Sequence, residues 1–130
     1  MYSPNILQSV ERYDPEKNQW SFVALLNTKR CQLTVVTDNT TMYAVGGSNE
    51  EGRALATSEV YNSLKNKWSV IATMNVPRSG AGACMVDRLL YVFCGTGRED
   101  AEVFNPATKT WKMISGMSKP QIKPNWPIPG

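Results

Sequence analysis

Six polar side chains could bind a partner that carries carboxylates. A guanidinium group is a planar fork of donors, so it can hold a carboxylate with two hydrogen bonds. Neutral Ser and Asn side chains nearby could add further hydrogen bonds. The candidate binding residues are Arg30, Asn49, Arg53, Arg78, Ser79 and Arg98. This chemistry predicts a surface that binds a protein or peptide ligand, with acidic peptides as a suitable class.

The same arginines have a plainer interpretation as solvated charges or as partners in local salt bridges. Arg30 and Arg78 lie 48 residues apart in similar surroundings, which favours a structural role for this pair. Acidic neighbours also reduce the positive charge of the candidate surface, so a mixed preference is the alternative to an acidic ligand. These neighbours are Glu50, Glu51, Glu99 and Asp100.

The amino-acid composition disfavours catalysis and several classes of ligand. The 130 residues include no His, which removes Ser–His and Cys–His nucleophile pairs and His metal ligands. The three Cys lack the spacing of a metal site and indicate reduced thiols, as in the cytoplasm or, alternatively, the nucleus. The net charge of +3 forms no basic run, and no apolar stretch could span a bilayer. We therefore expect no enzymatic activity, cofactor, metal, nucleic acid or membrane.

A motif that occurs three times determines how the candidate residues are positioned. In each copy an aromatic residue follows a Glu by two positions, and a Trp follows the same Glu by nine. The three Glu residues, Glu11, Glu59 and Glu102, are 48 and then 43 residues apart, which is a period typical of propeller blades. Their identical contexts indicate a structural hydrogen bond to backbone rather than acid catalysis.

Short β-branched and aromatic runs between polar turns predict four antiparallel strands in each repeat, which we label A to D. Strand A is expected near residues 31–36 and 79–86, and strand B at 42–46 and 90–94. Strand C is expected at 10–13, 58–61 and 101–104, and strand D at 20–24, 68–72 and 111–114.

These elements together resemble the kelch repeat. Tyr43-Ala44-Val45-Gly46-Gly47 and Ser9-Val10-Glu11-Arg12-Tyr13-Asp14-Pro15 with Trp20 carry the resemblance, which covers residues 9–117. The third repeat has Cys94 where the first Gly of the pair is expected, and the second has Ser63 in place of Pro. The residues expected to form the repeated core are Tyr13, Trp20, Gly46, Gly47, Tyr61, Trp68, Gly95, Phe104 and Trp111.

The resemblance implies an all-β fold, a partial kelch β-propeller of about two and a half blades that is not closed into a ring. Residues 1–117 would form the incomplete propeller, and the Pro-rich residues 118–130 an extended or disordered tail. A closed ring typically needs about four to eight blades, so we expect a fragment or truncated product of a longer kelch protein. Self-association into a ring is the alternative.

The loops between strands B and C are expected to form the binding rim. They lie at the same blade end as the D–A loops and run from Ser48 to Thr57 and from Thr96 to Asp100, and they account for the whole difference in repeat length. Variable length on one face is typical of a recognition surface.

The closest resemblance is to BTB-kelch ubiquitin ligase adaptors, whose propeller captures a substrate. In those proteins, an upstream BTB domain, absent from these residues, binds a cullin, so a cullin would be only an indirect partner. The alternatives are a kelch scaffold that binds actin and a truncated isoform without a ligase role.

Overall fold

A computed structural model describes residues 8–37 and 41–114, which form ten β strands and no helix. The strands are β1 (Val10–Asp14), β2 (Gln19–Val23), β3 (Thr34–Thr37), β4 (Thr41–Val45), β5 (Ser58–Asn62), β6 (Lys67–Val70), β7 (Gly82–Val86), β8 (Leu89–Phe93), β9 (Ala101–Asn105) and β10 (Thr110–Ile114). The predicted division at residue 117 and the predicted Pro-rich tail, residues 118–130, lie outside the described residues.

The strands form three antiparallel sheets, which correspond to one half blade and two full blades. The half blade pairs β1 with β2, and the full blades have the orders β3-β4-β5-β6 and β7-β8-β9-β10. No sheet of the described residues closes into a ring. The prediction of an all-β, open partial propeller is confirmed.

The core lies between the sheets, and the second blade buries apolar side chains on both of its faces. On β4, Ala44 faces the half blade, in a cluster with Leu26, Tyr61 and Trp68. The next residue along the strand, Val45, faces the third sheet, in a cluster with Leu90, Phe104 and others. Successive strand residues point to opposite faces, so one strand contributes to two interfaces.

Strand A is shorter than predicted, because left-handed backbone precedes it. It begins at Thr34 and at Gly82, three residues later than expected in each blade. Gln32 has a φ of 55° and Gly80 a φ of 70°, which is incompatible with an extended strand at these positions. Both B strands and the first two D strands also end one or two residues early, while the last D strand ends at Ile114 as predicted. Cys94 adopts the positive φ that Gly46 has in the second blade.

The glycine pair allows two blades to approach each other at the backbone. The Gly47 amide donates to the carbonyl of Arg78 at 2.8 Å. A Cβ atom on Gly46 would lie 2.3 Å from the same carbonyl oxygen, and both glycines have positive φ. The pair is therefore required by packing as well as by conformation.

Each buried Trp depends on the sheet before it. The Trp68 Nε1 donates to the carbonyl of Ala24 at 3.0 Å, and the Trp111 Nε1 donates to the carbonyl of Ala72 at 2.7 Å. The expectation that all three tryptophans belong to the repeated core is wrong for Trp20, which is 66% exposed, whereas Trp68 is 3% exposed and Trp111 is partly buried. No described residue lies where the preceding sheet would cover Trp20, and Tyr13 beside it is also exposed.

Substitution of these tryptophans tests the dependence on the preceding sheet. We expect Trp68→Phe to lower the free energy of unfolding by ~1–3 kcal/mol, because it leaves the Ala24 carbonyl without its indole donor and opens space in the core. Trp20→Phe, the matched control, should cost less than ~0.5 kcal/mol. Urea denaturation measures both values, and equal losses would contradict the assignment.

Candidate protein-binding surface

A buried carboxylate holds the loop that leads into the second blade. Glu59 on β5 is 0% exposed, and its Oε1 accepts the backbone amide of Asn27 at 2.7 Å and the Asn27 Nδ2 at 3.0 Å. Its Oε2 accepts the amide of Thr28 at 3.1 Å and the Arg30 Nε and Nη2 at 3.3 and 3.2 Å. Five donors therefore converge on one side chain.

The third blade repeats this cluster with equivalent residues. Glu102 on β9 is also 0% exposed, and it accepts the Asn75 amide at 2.7 Å, the Asn75 Nδ2 at 3.1 Å and the Val76 amide at 3.0 Å. The Arg78 Nε and Nη2 complete the set at 3.3 and 3.1 Å. We call these two groups the Glu–Arg clusters.

The third nitrogen of each guanidinium, Nη1, does not contact the Glu and instead fixes both ends of a B–C loop. The Arg30 Nη1 donates to the carbonyls of Gly46 and Thr57, each at 2.8 Å. The Arg78 Nη1 donates to the carbonyls of Cys94 and Asp100, each at 2.9 Å. Each Glu–Arg cluster therefore joins the loop before strand A to the start and end of the B–C loop in its own blade.

Burial affects the charges in these clusters. Desolvation lowers the pKa of Arg30, while the attraction and hydrogen bond of Glu59 act in the opposite direction. A guanidinium group stays protonated throughout the physiological range, so Arg30 keeps its positive charge in the cluster. Removal of one partner from a buried pair leaves an uncompensated charge and typically costs about 3–5 kcal/mol.

This geometry corrects the assignment of Arg30 and Arg78 to a binding rim. Their guanidinium groups are fully buried and occupied by internal acceptors, so they do not face a partner. The structural alternative fits both residues. Sequence reasoning missed Asn27 and Asn75, although each precedes the recurring Arg by three residues and so carries the same repeat signal.

Two other candidate residues shape loops. The Ser79 hydroxyl donates to the Gln32 Oε1 at 2.9 Å, across the interface between blades. The Asn49 Oδ1 accepts the amides of Glu51 and Arg53, both at 3.0 Å, and so closes a turn in the longer B–C loop. Ser79 is also largely buried.

The remaining two candidates are exposed and differ in their pairing. Arg98 forms a salt bridge with Asp100, and this hydrogen bond raises the pKa of Arg98 and lowers that of Asp100. The Arg53 side chain is exposed and makes no hydrogen bond or ion pair to any other described residue. Arg53 is therefore the candidate most available to a partner.

The exposed surface around these residues has mixed charge. We define the loop rim as the two B–C loops, 46–57 and 94–100, with Lys29 beside them. Lys29 pairs with Glu50 at 3.5 Å, and both side chains are largely solvated. The rim is not a cationic patch, because it carries three exposed cationic side chains and four acidic ones. The cationic residues are Lys29, Arg53 and Arg98, and the acidic residues are Glu50, Glu51, Glu99 and Asp100.

The described residues contain no group of three or more His, Cys, Asp and Glu side chains placed to hold a metal ion. Within the same residues, no helix is long and apolar enough to cross a membrane.

A family model for the kelch motif matches residues 1–24, 29–75 and 77–118. The chain belongs to the kelch-repeat family. The kelch repeat is an interaction fold without enzymatic activity of its own, so this kelch chain is a module for binding other proteins.

One curated protein similar to this kelch chain is an F-box/kelch-repeat protein of Arabidopsis thaliana. The two are 27% identical over 116 residues, which is 85% of this chain and 30% of that protein. The kelch chain thus spans about a third of the relative's length.

Removal of one cluster carboxylate should destabilise the kelch fold. We expect Glu102→Gln to lower the free energy of unfolding by ~3 kcal/mol, at the low end for a broken buried pair, because the buried Arg78 keeps only the part-exposed Asp100, at 2.9 Å, as its counter-charge. Glu11→Gln is the matched control: Glu11 has the same place in its repeat but is exposed, so the change should cost less than ~0.5 kcal/mol. Urea denaturation compares the two, and a small loss for Glu102→Gln would refute the role of the cluster.

Proposed function

We propose that the loop rim recognises a protein substrate and that the kelch chain serves as the substrate-binding part of a ubiquitin ligase adaptor. The observation that carries the proposal is the exposed Arg53, whose side chain pairs with no other described residue, on a loop whose two ends are fixed by a Glu–Arg cluster. A fixed loop loses little conformational entropy when it binds, which favours recognition.

The longer B–C loop supports this proposal because its extra residues present Arg53. The Asn49 amide donates to the carbonyl of Arg53, and the Gly52 amide donates to that of Asn49, both at 3.0 Å. The corresponding loop of the third blade is shorter and places Arg98 against Asp100 instead. The two loops therefore offer different chemistry at the same end of neighbouring blades.

The charge distribution suggests the kind of partner. An acid on the partner would pair with Arg53 through two hydrogen bonds. The exposed Glu50, Glu51 and Glu99 favour basic groups in the same partner. A protein segment that carries both charges fits the loop rim better than a uniformly acidic peptide.

The adaptor role is supported by similarity. The name of the Arabidopsis relative joins kelch repeats to an F-box, and the repeats of this chain resemble those of BTB-kelch adaptors. In such an adaptor the cullin would bind to the BTB domain, so its capture should not depend on the loop rim. We place the protein in the cytoplasm or nucleus. A kelch scaffold that binds actin, or a truncated isoform that only binds, is the alternative.

A double charge reversal on the loop rim tests substrate recognition. In the complete protein, purified by a tag from its source cells, Arg53→Glu with Arg98→Glu should reduce the yield of the captured substrate by at least ~10-fold, because opposed charges replace two potential pairs. Quantitative mass spectrometry of the co-purified proteins measures the substrate and any cullin.

The matched control is Lys17→Glu with Lys65→Glu, which changes the charge equally on exposed turns at the opposite blade end. The control should retain the substrate, and both variants should retain the cullin. Equal substrate capture by the two double variants would remove the loop rim as the recognition site. If the protein sediments with actin filaments and no cullin co-purifies with it, the actin-binding scaffold replaces the adaptor role.

A further inference from the structure

A second candidate site lies between the two full blades, on the side of the C–D turns and away from the loop rim. It is a cleft of about 310 Å³ lined mainly by apolar side chains, among them Val60, Ile71 and Phe104. Lys109 borders the cleft, and no lining residue is acidic. The volume is at the lower end of the roughly 300–1,000 Å³ of ligand pockets, which suits one or two side chains.

The first gap between sheets separates the half blade from the second blade. In this gap a pair of hydrogen bonds, which we call the latch, occupies the equivalent place. The Tyr61 hydroxyl donates to the Asn66 Oδ1 at 2.7 Å. The same oxygen accepts the backbone amide of Ala24 from the preceding sheet at 2.9 Å. One amide oxygen therefore joins the two sheets and satisfies the Ala24 N–H.

The third blade lacks both parts of this latch. Phe104 stands where Tyr61 would be, and Lys109 stands where Asn66 would be. Phenylalanine has no hydroxyl, and an ammonium group has no acceptor. Lys109 keeps the left-handed backbone of Asn66, with a φ of 60° against 49°, so its side chain leaves the turn in a similar direction.

The loss of the latch leaves a backbone donor unused. Ala72 is the equivalent of Ala24, and its amide makes no hydrogen bond to any of the described residues. Its carbonyl still accepts the Trp111 Nε1 at 2.7 Å, so this segment keeps its position. An amide N–H and an ammonium group therefore border the same apolar cleft, and no acceptor among the described residues joins them.

We propose that this cleft binds an extended segment of a partner protein in which an Asp or Glu adjoins an aliphatic residue. The carboxylate accepts hydrogen bonds from the Ala72 amide and the Lys109 ammonium, in the place of the Asn66 oxygen of the first gap. The aliphatic side chain enters the cleft against Val60, Ile71 and Phe104. Lys67 adds positive charge, since it lies two residues from Ser69 on the strand face that lines the cleft. The site is independent of the loop rim.

Nuclear magnetic resonance of the 15N-labelled chain tests this proposal directly, since the Ala72 amide is the expected donor. The probe is a capped peptide with a central Leu-Asp pair, and its matched control contains Leu-Asn. The Leu-Asp peptide should move the Ala72 amide proton downfield in a saturable way. The Leu-Asn peptide should bind at least ~5-fold more weakly, because it lacks the charge that pairs with Lys109.

A variant with a rebuilt latch provides the second test. Phe104→Tyr with Lys109→Asn restores the residues of the first gap, so the Ala72 amide should lie downfield before any peptide is added and should then no longer respond. Lys65→Asn, outside the cleft, should respond like the natural chain. The proposal is overturned by the absence of a saturable shift, by equal binding of the two peptides, or by an unchanged response of the latch variant.

Discussion

The buried carboxylates of Glu59 and Glu102 are the constraint on which the loop-rim end of each full blade depends. A carboxylate that loses its water must gain hydrogen bonds and a counter-charge, and here two backbone amides, an Asn side chain and an Arg provide them. The same Arg then holds both ends of the B–C loop. Because these contacts come from backbone and from repeated residues, the middle of each loop can vary without loss of the blade.

Neighbouring blades depend on each other through contacts that run in both directions along the chain. Trp68 and Trp111 each donate to a carbonyl of the sheet before them, and the glycine pair of the second blade meets the Arg78 carbonyl of the third. The environment of a repeated residue is therefore set by the adjacent sheet as much as by its own repeat. Where the repeat changes, as at Phe104 and Lys109, the interface changes from a latch to an open cleft.

The repeat in the sequence was sufficient to predict the fold, but not the environment of every repeated residue. The period of Glu and Trp, with the alternation of strand residues, predicted the open all-β propeller and the places of strands C and D. The recurrence of Arg30 and Arg78 favoured a structural role, but their burial against Glu59 and Glu102 was not predictable, because these partners lie 29 and 24 residues away on another strand. The exposure of Trp20 was also missed, because the burial of each Trp depends on the sheet before it and not on the repeat that contains it. The free Ala72 amide follows only from a comparison of both gaps.

Hydrogen exchange at the amides of Thr28 and Val76 tests the central claim most directly. Both residues lie in loops, yet their amides donate to buried carboxylates at 3.1 and 3.0 Å. If the Glu–Arg clusters fix the loops, these amides exchange as slowly as those of the paired strands β5 and β9, because they open only when the blade unfolds. Exchange as fast as at the exposed residues Thr73 and Glu99, whose amides donate to no described residue, would show that the loops open independently. The clusters would then not determine the architecture of this end.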